Sequence, residues 1–316
     1  MTGPAIVVRD LVKRRGKIRA LDGFTLAVPR GSVLGLVGEN GAGKTTFMMT
    51  VAGFLRPDSG EIDILGSGPF DAERHSGRVA ILPQDSELPL ETTPFDALYR
   101  FGRLQGLSSK AARDSARDAL AAVNLSGRAH AQVRTLSHGM RKRAMVAQCF
   151  VGNPQIVLLD EPLNGLDPVE ADRLRRFIIA QRARRTVVVS SHNLEDVERL
   201  CTHVAVVDKG RIARMDTLAS ITRGVDRVAY TLASKPADFA ALSAALPGIS
   251  MEWRESGQVL VCSFDSLPGG IAEANRVLVP ALLAQTDVLA VVPGQSLEEA
   301  FLSPGRLRQT EQGFGS

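Results

Sequence analysis

Two stretches of the chain have residue types and spacing suited to a phosphorylated ligand. The first, Gly38-Glu39-Asn40-Gly41-Ala42-Gly43-Lys44-Thr45-Thr46, fits the pattern G-x-x-x-x-G-K-[ST]. Glycines let such a loop wrap so that successive backbone N–H groups point inward. Those dipoles, with the N-terminus of a following helix, bind α- and β-phosphates. Lys44 reaches the β- and γ-phosphates as a point charge, and the Thr45 hydroxyl is an oxygen ligand of the kind Mg²⁺ takes. The second stretch, Ile156-Val157-Leu158-Leu159-Asp160-Glu161-Pro162, runs four apolar residues into two acids. Asp160 can hold Mg²⁺, directly or through water, and Glu161 beside the γ-phosphate can polarise an attacking water. Taken singly, each has a bland reading, a glycine-rich turn and an acid pair that caps a strand. Together they predict binding and hydrolysis of a nucleoside triphosphate.

These groups need a scaffold, and the flanking sequence predicts one. Residues 33–37 are apolar and end at glycine, which reads as a buried strand, and residues 47–55 read as a helix. Strand, glycine loop and helix are the context that the first motif requires. Residues 156–159 and 186–189 are further buried strands, with a helix expected over 169–184 between them. This βαβ rhythm implies a parallel core sheet, and Asp160 would emerge at its C-terminal edge, where such sheets bind ligands. Upstream, residues 6–12 and 21–28 read as strands joined by a basic turn, 13–17. Helical spacing marks 94–104, 109–123 and 139–151, the second with Ser108 and Ser109 as capping candidates. Residues 204–208 and 211–215 form a hairpin around Lys209-Gly210.

A boundary is expected near Arg223-Gly224. Beyond it the order is strand (227–232), helix (238–246), two strands (250–254 and 258–264), helix (271–283), strand (288–292) and a short helix (297–302). That βαββαβ order implies a small α+β domain of ferredoxin-like type. The division is therefore 1–223 with a helical subdomain over about 90–150, then 224–305, and a flexible tail at 306–316.

Composition narrows the classes. Lys and Arg exceed Asp and Glu by 38 to 34, a net charge of +4 over 316 residues, so no basic excess argues for nucleic acid. Cys149, Cys201 and Cys262 are widely spaced and read as reduced thiols. Residues 1–10 carry no signal-peptide core, and no apolar run reaches the roughly 20 residues of a membrane span.

Between and after the two phosphate motifs stand further elements in a fixed order. Gln84 closes Ile81-Leu82-Pro83-Gln84; Leu136-Ser137-His138-Gly139-Met140 opens a helix; Asn164-Gly165-Leu166-Asp167 and Ser190-Ser191-His192 follow. With the phosphate loop and the acidic strand end, they resemble the ATPase domain of ABC transporters over residues 7 to about 217. The resemblance implies an α/β P-loop NTPase fold, the ABC ATPase domain with a mixed core sheet and a helical subdomain, and ATP with Mg²⁺ as ligands. By it, Gln84 contacts Mg²⁺ and the attacking water and senses a membrane partner, while His192 positions the γ-phosphate and the water. Ser137 and Gly139 grip the γ-phosphate of ATP bound to a second, identical copy in a head-to-tail dimer, and Asp167 couples the two sites. Ser137 also has a physical reason to serve, because a helix N-terminus is suited to an anion.

Two departures stand out. The signature has His138 for its first glycine and Met140 for glutamine, while Ser137 and Gly139 are kept. Where the family often stacks adenine on an aromatic residue, this chain has Arg15, which can stack its guanidinium plane on the base or serve as a solvated surface charge. An LSxGM-type signature and the segment Leu297-Glu298-Glu299-Ala300-Phe301-Leu302 resemble exporter ATPases with separate permeases of the ABC-2 type. The chain is then expected peripherally, at the cytoplasmic face of the membrane. Residues 85–101, with apolar Leu88, Leu90, Phe95, Leu98, Tyr99 and Phe101, are either core or a groove for a permease helix. The alternative function is a soluble, non-transport ABC ATPase of cluster-assembly type.

Overall fold

The computed structural model describes residues 3–182, 184–223, 227–238, 242, 249–254, 258–264 and 270–294. The chain divides into two compact units, Met1–Asp216 and Thr217–Ser316.

The first unit opens with the strands β1 (Ile6–Arg15) and β2 (Ile18–Val28), an antiparallel pair joined by β4 (Ser59–Ile64) in the order β2-β1-β4. Both strands run further than their apolar pattern implies. Backbone pairing of Arg14 with Arg19 and Arg15 with Ile18 continues the ladder through the basic residues, and Gly16, at φ +60°, turns the chain. A strand needs only its main chain paired, so exposed charges at the tip do not end it.

The second sheet has six strands: β3 (Val33–Val37), β5 (Val79–Leu82), β6 (Ile156–Asp160), β7 (Thr186–Ser191), β8 (His203–Asp208) and β9 (Arg211–Thr217). Their order is β5-β6-β7-β3-β8-β9, with the first five parallel. β3, β6 and β7 are buried on both faces, which explains their unbroken apolar runs. Lys209 (φ 45°) and Gly210 (φ 77°) form the two-residue turn between β8 and β9, both in the left-handed region that a tight hairpin demands.

Helix α1 (Lys44–Val51) packs between the two sheets. Phe47 stacks on Phe24 of β2 at 4.7 Å, and Met48 and Val51 join the core with Leu34, Leu36 and Leu158. The helix starts at Lys44, three residues before its apolar run, because Gly43 launches it from φ 115°. α2 (Ala72–His75) precedes β5. α3 (Pro94–Leu104), α4 (Ser109–Ala122) and α5 (His138–Gln148) make the helical region, capped by Thr93, Ser108 and Ser137 respectively. α6 (Pro168–Gln181) and α7 (Leu194–Leu200) follow β6 and β7 and are capped by Asp167 and Asn193. Of the apolar set in 85–101, Leu88 and Leu98 are core; Leu90 is 46% exposed. Phe95, Tyr99 and Phe101 are half-buried, with Phe95 stacked on Tyr99.

The second unit holds α8 (Leu218–Arg223) and a sheet of β10 (Arg227–Leu232), β11 (Ile249–Arg254), β12 (Val259–Phe264) and β13 (Val288–Pro293). The order β11-β12-β10-β13 is antiparallel throughout. Alternate residues Val228, Tyr230, Leu232, Leu260, Cys262 and Phe264 form one apolar face, on which α9 (Gly270–Leu283) buries Ala274, Leu278 and Leu282. The Tyr230 hydroxyl donates to Asn275 Oδ1 at 2.8 Å. The helix expected over 238–246, apart from Asp238 and Leu242, the helix over 297–302 and the tail at 306–316 lie outside the described residues. Among the described residues no helix is long and apolar enough to cross a membrane.

Candidate active site

Strand register assembles the site. β3, β7 and β6 lie side by side and in step, with Val37 opposite Ser191 and Asp160 opposite Ser190. The residues after the strand ends therefore emerge together: Gly38 from β3, His192 from β7 and Glu161 from β6. β5 adds its end one strand further on, where Leu82 pairs with Leu159, and the exposed Gln84 follows two residues later. This is the carboxyl edge of a parallel sheet, where ligands bind.

The glycine loop is held closely. A Cβ at Gly38 would lie 2.3 Å from the Val207 carbonyl oxygen, and one at Gly43 would lie 2.5 Å from that of Ala20. No side chain fits either position. Gly210 N–H donates to Ala42 O at 2.8 Å, so the β8–β9 turn clamps the loop. Lys44 is buried and its Nζ donates to Gly38 O at 2.6 Å and Glu39 O at 3.0 Å, which folds the ammonium back into the loop. Burial lowers its pKa below the ordinary lysine value, while Glu161 and Asp160 act in the opposite direction. Glu39, Asn40 and Gly41 are exposed at the loop crest, Ala42 and Thr46 are buried, and Thr45 is half-buried.

The two acids are organised by a serine that sequence reasoning missed. Ser190, fully buried, donates its hydroxyl hydrogen to Asp160 Oδ1 and accepts the Glu161 N–H at 2.9 Å. Glu161 adopts φ 50°, rare for a side chain of its size, and is 6% exposed. His192 Nδ1 lies 3.1 Å from both Glu161 carboxylate oxygens. A carboxylate only accepts, so Nδ1 carries the hydrogen of this contact. Lys142, buried on α5, was also missed. Burial lowers its pKa, and the charges of Glu161, Asp160 and Asp85 oppose that shift. Ser190 stands in the Ser190-Ser191-His192 element, but its role is identified only by its register with Asp160.

Asp160 fits a hard divalent cation. Its Oδ2 is buried and has no hydrogen-bond partner, a state that metal coordination would relieve. Thr45 offers a second oxygen.

The remaining expected residues stand in two other places. Ser137 is exposed and caps α5, its Oγ accepting the Met140 N–H at 3.1 Å. Asp167 is exposed and caps α6, accepting the N–H groups of Val169 and Glu170 at 3.0 Å each. Gly139 seats against α6, where a Cβ would lie 3.1 Å from Glu170 Cγ. Arg15 is exposed at the tip of the β1–β2 hairpin. A cleft of about 550 Å³ opens beside Glu161 and His192, lined also by Asn164, Gly165, Arg175 and Arg199.

Residues 21–164 match the family model described as ABC transporter. A protein of Ralstonia nicotianae named Nod factor export ATP-binding protein I is 33% identical over 312 residues, covering 95% of this chain and 93% of the relative. A solved ATP-binding subunit of an ABC transporter shares 27% identity at a TM-score of 0.61, covering 69% of this chain and 91% of that one. A dimeric ATP-binding cassette in a post-hydrolysis state, bound to ADP and Pi, shares the fold at 21% identity and a TM-score of 0.61, covering 67% and 98%.

Proposed function

The chain belongs to the ABC transporter family as an ATP-binding, ATP-hydrolysing subunit, and from that premise we propose that it energises export through a separate membrane permease of ABC-2 type. It works at the cytoplasmic face of the membrane as a head-to-tail pair of identical copies. The export direction is supported by the relative's name, Nod factor export ATP-binding protein I, which also disfavours the soluble cluster-assembly reading. The permease determines the cargo.

Each side chain has a role in this reading. The N–H groups of Gly38–Thr46 and the start of α1 hold the phosphates. Lys44 exchanges its loop carbonyls for β- and γ-phosphate oxygens, a favourable trade because its buried ammonium has only neutral partners in the loop. Thr45 and Asp160, with Gln84, would hold Mg²⁺, which neutralises charge on the phosphate oxygens when bound. Glu161 orients and polarises the attacking water, and His192 fixes the Glu161 carboxylate through Nδ1–H. Ser137 and Gly139 receive the γ-phosphate of the partner copy's ATP, and Asp167 couples the two sites. Arg15 lies at the hairpin tip expected to face the base. Leu90, exposed, and the half-buried Phe95, Tyr99 and Phe101, the remainder of the apolar set outside the core, receive the permease helix. The two-unit division supports an accessory role for residues 224–305.

The observation that carries the hydrolytic part of the proposal is the Glu161–His192 contact at the strand ends beside the glycine loop, and its export part rests on the near full-length match to the export relative. The test is capture of the tagged chain from detergent-solubilised native membranes, followed by ATPase assay of the complex. A polytopic membrane protein in near-equal amount that alters the ATPase rate is expected. A chain recovered only from the soluble fraction, with an unaltered rate, would overturn the transport reading and leave the ATPase standing.

A further inference from the structure

The turn that carries Ser137 and the turn that carries Asp167 belong to different helices, yet they are built into each other. Glu170 occupies the space that a side chain at Gly139 would need. His138 Nε2 lies 3.3 Å from where a Cβ of Gly165 would stand, so the signature turn also touches the loop before α6. Beneath this contact Arg143 of α5, 4% exposed along its side chain, places Nε 2.5 Å from Glu170 Oε2. Its Nη1 donates to Val123 O at 2.5 Å and lies 3.5 Å from Asn124 O, at the end of α4. The other Glu170 oxygen accepts from Arg173 Nη1 at 2.9 Å.

An ion pair so buried is a poor device for stability alone, because desolvation offsets most of the attraction and an apolar contact would serve as well. Arg143 Nε and Glu170 Oε2 are not aligned as a hydrogen bond, so the pair acts as two opposite charges at short range, and that proximity is met at one offset of the two helices where an apolar contact lets them slide. Burial pulls the Arg143 pKa down and the Glu170 charge opposes that shift.

We propose that the Arg143–Glu170 pair is a positioning device that locks α5 to α6, so that Ser137 and Asp167 reach a second copy of the chain as one rigid block. The proposal rests on the reading that both residues face that copy. On this account Gly139 is small for two reasons, to admit phosphate on one side and Glu170 on the other.

The test uses the full chain with Glu170→Gln, Arg143→Met and the double variant R143M/E170Q. Three quantities are read: affinity for a fluorescent ATP analogue, steady-state kcat and KM, and ATP-driven dimerisation in a Glu161→Gln background. Both single variants should keep analogue affinity within about twofold, because the glycine loop is untouched, and lose about tenfold or more in kcat. ATP-driven dimers should weaken in parallel, and the double variant should lose little more than the worse single variant, as coupled partners do. Wild-type kcat in Glu170→Gln would overturn the proposal. So would fully multiplicative losses in the double variant while a thermal melt shows it folded. Glu170→Gln keeps side-chain volume and decides the matter if Arg143→Met does not fold. Ser137→Ala separates the two levels. If it is fully active, the signature reading fails; if it is inactive while Glu170→Gln is fully active, only the positioning role fails.

Discussion

Ser190→Ala is the most informative perturbation of the site, because one hydroxyl there serves both acids. Ser190 is fully buried, and its replacement removes one oxygen with little change of shape. The Glu161 N–H then loses its acceptor, at a cost of about 1–3 kcal/mol for a buried unsatisfied donor. Asp160 Oδ1 loses a bond from a neutral donor to a charged acceptor, worth about 1.5–3 kcal/mol. The two losses share one group and are not additive, so the expected destabilisation is about 2–4 kcal/mol. At a urea slope of about 3 kcal/mol per M, the unfolding midpoint should fall by about 1 M with the slope unchanged. Far-UV circular dichroism is the signal to use, since the single tryptophan, Trp253, lies in the second unit and not in the unit that holds Ser190. The Ser190 bond also holds Glu161 in its left-handed conformation, which carries a strain of about 1–3 kcal/mol. Without it the carboxylate relaxes away from His192, and kcat should fall about tenfold or more while ATP affinity changes less. A midpoint shift below about 0.2 M, or wild-type turnover, would refute the assignment of Ser190 as organiser of the two carboxylates.

Glu161→Gln keeps the shape of the side chain and removes its charge; ATP binding should persist, turnover should fall about 100-fold or more, and dimers should accumulate in light scattering. Unchanged turnover would remove Glu161 from its role as base. Lys44→Ala should weaken ATP binding in calorimetry by about tenfold or more, since a charge-assisted contact to phosphate is lost; normal affinity would refute the phosphate-loop role. Burial pushes the Cys149 and Cys262 thiols up to about 12 and Cys201 further in the same direction. At pH 7.5 an aromatic disulfide reagent should therefore leave all three unreacted in the native chain and modify them in guanidinium, and fast native labelling would contradict their burial. A chain ending at Arg223 should retain measurable ATP hydrolysis; loss of its far-UV spectrum would show that residues beyond Arg223 are needed for folding.

The local chemistry of this protein is written in consecutive residues. The glycine loop, the acids after an apolar run and the capping residues Ser108 and Ser137 act within a few positions of themselves, so their order in the chain suffices to find them. The four strands and the long helix described in the second unit are legible for the same reason, because alternation such as Val228, Tyr230 and Leu232 is a local signal. Strand length was less legible. β1 and β2 extend into a charged segment because pairing depends on the main chain, and α1 starts at Lys44 because a left-handed glycine sets its beginning.

What only the tertiary structure decided is which distant residues meet. Sequence placed Asp160, Glu161 and His192 at strand ends, but the in-step pairing of β6 with β7 makes Ser190 the shared partner of both acids. The same holds for Lys142, on which the charges of both acids act, and for Arg143 against Glu170. A parallel register and a helix crossing are set by packing across dozens of intervening residues, and no spacing along the chain records them.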